Sequence, residues 1–479
     1  MTVPVDTRAL IAVDLGAQSC RISLLQWQSG QPVITLAYRF ANAPYRKNGE
    51  LRWDLSSMSR NLDEGLRKCA ELAPEGVRSI AVDGWAVDYV RINQKGEALA
   101  DPYCYRDERT QRSQDVVHSK CSAEQMRRIT GIQIVPLNTI YQLEADKPEV
   151  RDAKWLNLPE YFLARWGGEA VSERTNATHT QLVDLKTQQW SAEIFAATGM
   201  DIALATKIVP PGTDLGVLRG ELAELPAFRE TRLIAPACHD TASAIAGIPA
   251  DGENWAYISS GTWSLVGTLL NAPQNNAATA KENFTNLGAV GGKTCFHKSV
   301  NGLWLLHQCM ESWAVEDARW TVPELVSEAA KTACPDGLID VDEPDLLLPD
   351  QMPERMNRQR IERGLKPLDT SAANAPIFAS LIFHSLAERY GKVLKLTQEL
   401  SEKQISRIYI VGGGSLNKFL NSLTAAASGL EVIPAAAESS TAGNFAVQLA
   451  ALEGSVNSII GADYDTVMRW ARILQTPKL

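Results

Sequence analysis

Two stretches decide the fold: "IAVDLGAQSCRISLL", Ile11–Leu25, and "YISSGTWSLVGTLL", Tyr257–Leu270. Each runs from an apolar strand through a small, polar, glycine-bearing turn into a second apolar strand, the pattern of a tight β-hairpin. The tip of such a hairpin offers backbone amides and hydroxyls to an anion. Finding the pattern in both halves points to a duplicated plan, in which two hairpins grip the phosphates of one nucleotide from both sides. Taken alone, the first hairpin is equally well a plain turn. Asp14 argues for more, because an acid at the end of an apolar strand is costly without a partner or a role.

Outward from the first hairpin, "VITLAYRF" reads as a further strand. Asp54 caps a helix with Leu55, Met58, Leu62 and Leu66 on one face, and "RSIAVDGWAVDYVRI" reads as strand, break, strand. Beyond the second hairpin, a long amphipathic helix starts near Pro376 and carries Phe378, Leu381, Ile382, Leu386, Val393, Leu396 and Leu400. "RIYIVGGGS" is a short strand ending in glycines, and "FLNSLTAAASG" a helix ending at Gly429. Strands mixed with helices give an α/β protein with mixed sheets. The breaker-rich "AGIPADGEN" sets a boundary between Ala246 and Trp255, hence a domain over 8–247, a second over 248–455 and a helical extension over 456–479. The acidic, proline-rich stretch 340–353, "DVDEPDLLLPDQMP", reads as a surface loop.

A chain of 479 residues fits two domains, and 45% hydrophobic with 22% charged residues is globular composition. A net charge of -9 argues against non-specific nucleic-acid binding. No run approaches the ~18 apolar residues of a membrane span. The opening "MTVPVDTRALIAVD" has no signal-peptide pattern, so a cytoplasmic location is expected. The eight cysteines form no CxxC pair, which reads as reduced thiols. His118, His179, His297 and His384 show no metal-ligand spacing and read as ordinary, and no GxxxxGK[ST] loop occurs.

Several groups carry chemistry. Gly16, Ala17, Ser19 and Arg21 let phosphate approach the first turn, where Asp14 can hold Mg²⁺ through water. Ser259, Ser260, Gly261, Thr262 and Ser264 form the second turn, and Gly412, Gly413 and Gly414 a third glycine site. In "ACHDTASAIAG", 237–247, Asp240 is either a helix cap or a general base for an alcohol attacking phosphorus, kept ionised by helix amides. In "AVDGWAVDYV", 81–90, Asp83, Trp85 and Asp88 suit a sugar; the alternative is a core tryptophan with Asp88 facing solvent. "YCYRDERT", with Arg106, Asp107 and Arg109, is an ion-paired surface loop or a substrate-side lip. "ERTNATHTQLVD" is a run of hydroxyls and amides whose Asn-Ala-Thr matches a glycosylation acceptor, without weight in the absence of a secretory signal.

In that chain order, "VDLGAQSCR", "AVDGWAVDYV", "YRDERT", "ERTNATHTQL", "CHDTASA", "SSGTWSL", "VGGG" and "ESSTAGN" resemble the FGGY carbohydrate kinases, from Ile11 to Leu452. The resemblance implies two ribonuclease-H-like, actin-type domains with a cleft between them. It implies ATP and Mg²⁺, and phosphorylation of the 1-hydroxyl of a ketose. The "TNAT", "HDTASA" and "SSGTWSL" pieces point to L-rhamnulose, in L-rhamnose catabolism. By the same resemblance Asp240 is the proton acceptor; Asp83, Trp85, Ala86, His239, Thr241 and Ser299 meet the sugar. Ala17, Gln18, Ser19, Cys20, Arg21, Thr262, His307 and Gly413 meet ATP, and Asp14 the Mg²⁺. The implied partners are sugar and ATP, with neither nucleic acid nor membrane.

The chain also departs from the family pattern. Gln18 and Cys20 stand for a serine and a glycine, Ala86 for a glycine, Ser299 for an asparagine (with Asn301 nearby), and His307 for a glutamine, beside Gln308. These leave open another ketose or polyol, such as L-fuculose or L-xylulose. Rivals of other kinds are a sugar-responsive regulator and a non-sugar ATPase.

Overall fold

The computed structural model describes residues 6–314, 320–436 and 438–475. The start of the opening segment and the last four residues of the 456–479 extension lie outside the described residues. The chain folds as two compact units: Met1–Pro249, Leu270–Cys295 and Ser439–Leu479 make the first, Ala250–Leu269 and Phe296–Glu438 the second.

The first sheet takes β1 (Ala9–Leu15), β2 (Ser19–Gln28), β3 (Gln31–Ala41), β4 (Val77–Gly84), β5 (Thr213–Val217) and β6 (Arg232–Ala235), in the order β5-β6-β4-β1-β2-β3. β1 pairs antiparallel with β2 and parallel with β4, which pairs parallel with β6. All seven residues of β1 are buried, as a strand covered on both faces requires. Alternate residues divide between the faces: Ile11, Val13 and Leu15 join the cluster that contains Leu62 and Leu66. Those leucines lie on α1 (Leu55–Leu72), whose cap Asp54 accepts from the Ser57 amide at 2.8 Å. Two short helices matter for the site, α2 (Arg174–His179) and α3 (Asp240–Ala246).

The second sheet repeats the plan with β7 (Trp255–Ser260), β8 (Trp263–Leu270), β9 (Thr285–Gly288), β10 (Thr294–Asn301), β11 (Arg407–Val411) and β12 (Glu431–Pro434), ordered β9-β10-β8-β7-β11-β12. Here β7 pairs antiparallel with β8 and parallel with β11, which pairs parallel with β12. The second unit's helices include α4 (Trp304–Ala314), α5 (Ala375–Ser401) and α6 (Lys418–Ser428), the last ended by Gly429 at φ 69. On α5, Leu394 and Thr397 are buried, whereas Leu396 and Leu400 are half-buried. Stretch 340–353 is more than a surface loop. Val341, Leu346 and Met352 are buried, and Asp342 accepts from the Asn301 amide and pairs with Arg389 at 2.7 Å. Asp342 is therefore held by neighbours, while Asp340, Glu343 and Asp350 remain exposed.

The chain then returns to the first unit with α7 (Ser439–Leu452) and α8 (Tyr464–Gln475). The other face of β1, Leu10 and Ala12, packs in a cluster with Phe445, Leu449 and Trp470. Among the described residues no helix is long and apolar enough to cross a membrane.

Candidate active site

Three acids converge at the carboxyl ends of parallel strands, where open α/β sheets place their ligands. Asp14 on β1 is the register neighbour of Asp83 on β4, and Asp240 opens α3 just after β6. The Gly84 amide donates to the Cys238 carbonyl at 2.9 Å, and the Trp85 amide to the Leu15 carbonyl at 3.2 Å, tying the three ends together. Asp14 Oδ2 accepts from Arg21 Nη2 and from Ser440 Oγ, each at 2.6 Å. Asp83 has no exposed surface. Its Oδ2 accepts from Asn444 Nδ2 at 2.6 Å, and its buried Oδ1 has no partner. Burial, then the charge of Asp14, push Asp83 well above the usual carboxylate range.

Asp240 keeps 36% of its side chain exposed. Desolvation by its surroundings, with Asp14 second, pushes it up to about 7 against the Thr241 amide and hydroxyl. This corrects the expectation that helix amides keep it ionised: α3 has seven residues, and its field is outweighed by desolvation first and the Asp14 charge second. Nor is Asp240 the cap; that position belongs to His239. The Thr241 amide and hydroxyl and His239 Nε2, the last at 3.3 Å, all address Oδ1 of Asp240.

His179, read as ordinary, is not: its Nε2 lies 3.2 Å from His239 Nδ1. Behind the pair runs a buried latch. Glu173 accepts from the Thr175 amide and hydroxyl and from the Cys238 amide, and Thr175 Oγ1 accepts from the His239 amide at 3.1 Å. Glu160 accepts from the Glu173 amide and from Asn176 Nδ2, both at 3.0 Å. Asn176 is buried, so the Asn-Ala-Thr is no glycan acceptor.

Helix α7 supplies residues that sequence reasoning missed. Ser440, Asn444 and Gln448, four apart on one face, bond Asp14, Asp83 and the Ile11 carbonyl. The spacing was visible in the sequence; the targets were not.

Asp88 does not face solvent. It is buried and accepts from the indoles of Trp53 at 2.6 Å and Trp85 at 2.9 Å, the rings lying 4.5 Å apart between centroids. Burial raises it to about 6 against these donors. Val87 takes φ 73, rare for a β-branched residue, and its carbonyl is held by Thr139 Oγ1 and Gln142 Nε2. Such a conformation costs on the order of 1–3 kcal/mol, and these two hydrogen bonds hold it next to Trp85 and Ala86. Asp107 and Arg109 are held in place: Asp107 accepts from the Leu51 amide, and Arg109 pairs with Asp146 at 2.9 Å.

In the first hairpin a Cβ on Gly16 would collide with the Ser19 carbonyl oxygen, so only glycine makes this turn. Asn42 braces it, donating to the Gly16 carbonyl at 3.0 Å. Ala17, Gln18 and Ser19 lie at the tip, Gln18 exposed, and Ser19 Oγ accepts from Arg39 at 3.0 Å. The Cys20 side chain is buried in the core with its thiol donating to the Gly16 carbonyl of the turn at 3.8 Å, and burial pushes the thiol up to about 12.

In the second unit the Trp304 amide donates to the Thr262 carbonyl at 3.3 Å, setting the start of α4 on the hairpin turn. A Cβ on Gly414 would collide with Ser260 Oγ, while Gly413 is open. His307 on α4 has a buried Nδ1 without a partner, and burial lowers its pKa. Gln308 is engaged elsewhere, accepting from the Asp350 amide at 2.9 Å. Ser299 is half-buried on β10, and Asn301 is held by the Leu346 carbonyl. The first unit thus gathers Asp14, Arg21, Asp83, Trp85, His239, Asp240 and Thr241; Thr262, Ser299, His307 and Gly413 belong to the second.

A repeated mixed-sheet plan, with a glycine-bearing hairpin opening each repeat, defines the ribonuclease-H-like, actin-type class. Residues 9–247 match the N-terminal domain, and 256–452 the C-terminal domain, of the FGGY family of carbohydrate kinases. The chain belongs to that family and is a sugar kinase, a phosphotransferase using ATP. It is 35% identical over 456 residues to the rhamnulokinase of Enterococcus faecalis (strain ATCC 700802 / V583), covering 93% of this chain and 90% of that one. It is 33% identical over 456 residues to the rhamnulokinase of Ligilactobacillus salivarius (strain UCC118), covering 95% and 92%. The gluconate kinase structure from Lactobacillus acidophilus shares the fold, with a TM-score of 0.75 at 17% identity over 98% of this chain and 96% of that one.

Proposed function

We propose that the chain transfers the γ-phosphoryl group of ATP to the 1-hydroxyl of L-rhamnulose, with Asp240 as the base. The observation that carries the base is its half-exposed carboxylate with a pKa of about 7, at the carboxyl ends of the sheet. All its bonds fall on Oδ1, leaving Oδ2 for the alcohol. As the sugar oxygen attacks phosphorus, its proton passes to Asp240 while the bond to the β-phosphate oxygen breaks and ADP leaves. A late-leaving proton needs no stronger base. His239 and Thr241 flank the hydroxyl, and Trp85 and Ala86 offer the sugar a wall. Asp83, fully buried and pushed well above the usual carboxylate range by that burial, reaches ligand only through its neighbours. Ser299 is the second unit's contact to sugar.

For ATP, the tip Ala17–Arg21 takes phosphate through the backbone, and Thr262, His307 and Gly413 serve from the second unit. The unpartnered Nδ1 of His307 fits a nucleotide donor or acceptor. No group of three or more acids, histidines or cysteines suited to a metal occurs among the described residues. That fits Mg²⁺, which keeps waters and phosphate oxygens and takes few carboxylates. Asp14, paired with Arg21 and bonded by Ser440, would hold it. When bound, the ion neutralises charge on the transferred phosphoryl group.

L-Rhamnulose is favoured by the two relatives named for it, at 33% and 35% identity over nearly the whole chain. Ala86 and Ser299 favour the second reading, a different ketose. ADP release with Mg²⁺-ATP and L-rhamnulose, L-fuculose or L-xylulose decides between them. A large rate with L-rhamnulose alone is expected; a rate with another ketose alone rejects the sugar, and none with any sugar rejects the reading.

A further inference from the structure

We propose that His179 is a positioning residue for phosphoryl transfer: its ring holds His239 in the tautomer that donates to Asp240. This rests on the reading of Asp240 as proton acceptor. An ionised carboxylate only accepts, so His239 Nε2, 3.3 Å from Asp240 Oδ1, carries the hydrogen. Taken as neutral, the His239 imidazole then has one N–H, which leaves Nδ1 to accept. The atom facing it at 3.2 Å is His179 Nε2, which therefore donates. The rings meet edge-on, 75° between planes and 4.2 Å between centroids. Desolvation and the facing His239 hold His179 well below the usual imidazole range, consistent with a neutral donor.

Both rings are fixed by one helix. Thr175 and His179 lie one turn apart on α2, so α2 grips His239 twice, by its amide through Thr175 Oγ1 and by its ring through His179. Glu173 locks Thr175 from one end, and Asn138 Nδ2 donates to the His179 carbonyl at 3.2 Å at the other. The result is a directed chain, His179 to His239 to Asp240, that turns Oδ2 toward the sugar. A third group orienting the group that addresses the reacting residue is the logic of a catalytic triad, used here on a carboxylate base. Loss of the His179 donor frees His239 to adopt the other tautomer, whose bare Nε2 repels the carboxylate.

The test compares H179F, which keeps the ring volume without a donor, with H179Q, whose terminal amide restores one. Steady-state kinetics are paired with ¹⁵N imidazole spectra of the full chain, which has six histidines. The wild-type spectrum should show His239 as the Nε2–H tautomer. H179F should lower kcat about 10- to 100-fold with KM for ATP unchanged and show tautomer exchange at His239. H179Q should recover most of the loss. The proposal is overturned by wild-type kcat in H179F, by H179Q as slow as H179F, or by an Nδ1–H His239 in the wild type. The wild-type spectrum needs neither a folded variant nor a correct sugar, so it separates failure of the relay from failure of the proposed function.

Discussion

Titrating the enzyme from about pH 8.5 to about pH 5.5 tests the base through its most unusual property. Asp240 lies at about 7, against an ordinary 3.8, because of desolvation first and the Asp14 charge second. A base works only when ionised, so activity is lost as pH falls through that value. One unit below it, roughly one molecule in eleven carries an ionised base; two units below, roughly one in a hundred. Log kcat/KM for the sugar should therefore rise with unit slope and level off above about 7. An ordinary carboxylate would give a flat profile over the same interval. The assay is coupled ADP release at fixed ionic strength, with thermal melts at each pH to exclude unfolding. The midpoint should barely move with temperature, because carboxylate ionisation carries little enthalpy whereas imidazole ionisation carries much. D240N should lose about 10²- to 10⁴-fold in kcat at every pH and keep ATP binding. A flat wild-type profile, or a D240N enzyme with the same limb, refutes the reasoning.

Two further outcomes follow from buried groups. Glu160 is raised to about 8 by burial and then by the Glu173 charge, so its contribution to stability is complete below 4.5 and lost as pH rises through about 8. Relative to E160Q, the wild type should lose about 2 kcal/mol between pH 6 and pH 8 in denaturant melts, since each unit of differential binding is worth about 1.4 kcal/mol and the group is half titrated at the upper pH; a difference independent of pH would refute this. Cys20, raised to about 12, should resist an alkylating reagent with or without ATP, while Cys334, the one cysteine not buried, reacts first; early Cys20 labelling by mass spectrometry would contradict the burial argument.

Local signals carried most of the fold. The apolar runs of β1 and β7, the Asp54 cap and the Gly429 stop each act through neighbours a few residues away, and such chemistry is legible in a sequence. Asp14 and Asp240 were legible because each interrupts apolar surroundings. Their convergence with Asp83 was not, because it depends on β1, β4 and β6 lying side by side, a long-range choice. His179 was passed over for the same reason: a test for metal-ligand spacing looks along the chain, and its partner lies 60 residues away. Trp85 and Asp88 were half-read. The pair was marked, but Trp53, which turns Asp88 inward, lies 35 residues earlier than its acceptor.

The three acids are one residue type in three surroundings, which differ in what each can reach. Asp14 has the only guanidinium, that of Arg21, and a hydroxyl. Asp83 has one amide, and Asp240 only the donors clustered at Oδ1. The Asp14 charge is itself a cause of both raised values, so whatever offsets that charge lowers Asp240 and strengthens its hold on the ionised form. A bound cation at Asp14 would act in this direction, and so would D14N. The limb of kcat, which reports the complex, should therefore lie at lower pH than that of kcat/KM, which reports the free enzyme. In D14N the kcat/KM limb should move down as well, although overall turnover falls with loss of the metal-holding group. Limbs that coincide in the wild type, or stay in place in D14N, would show that desolvation alone sets Asp240 and that Asp14 does not govern when the base is ready.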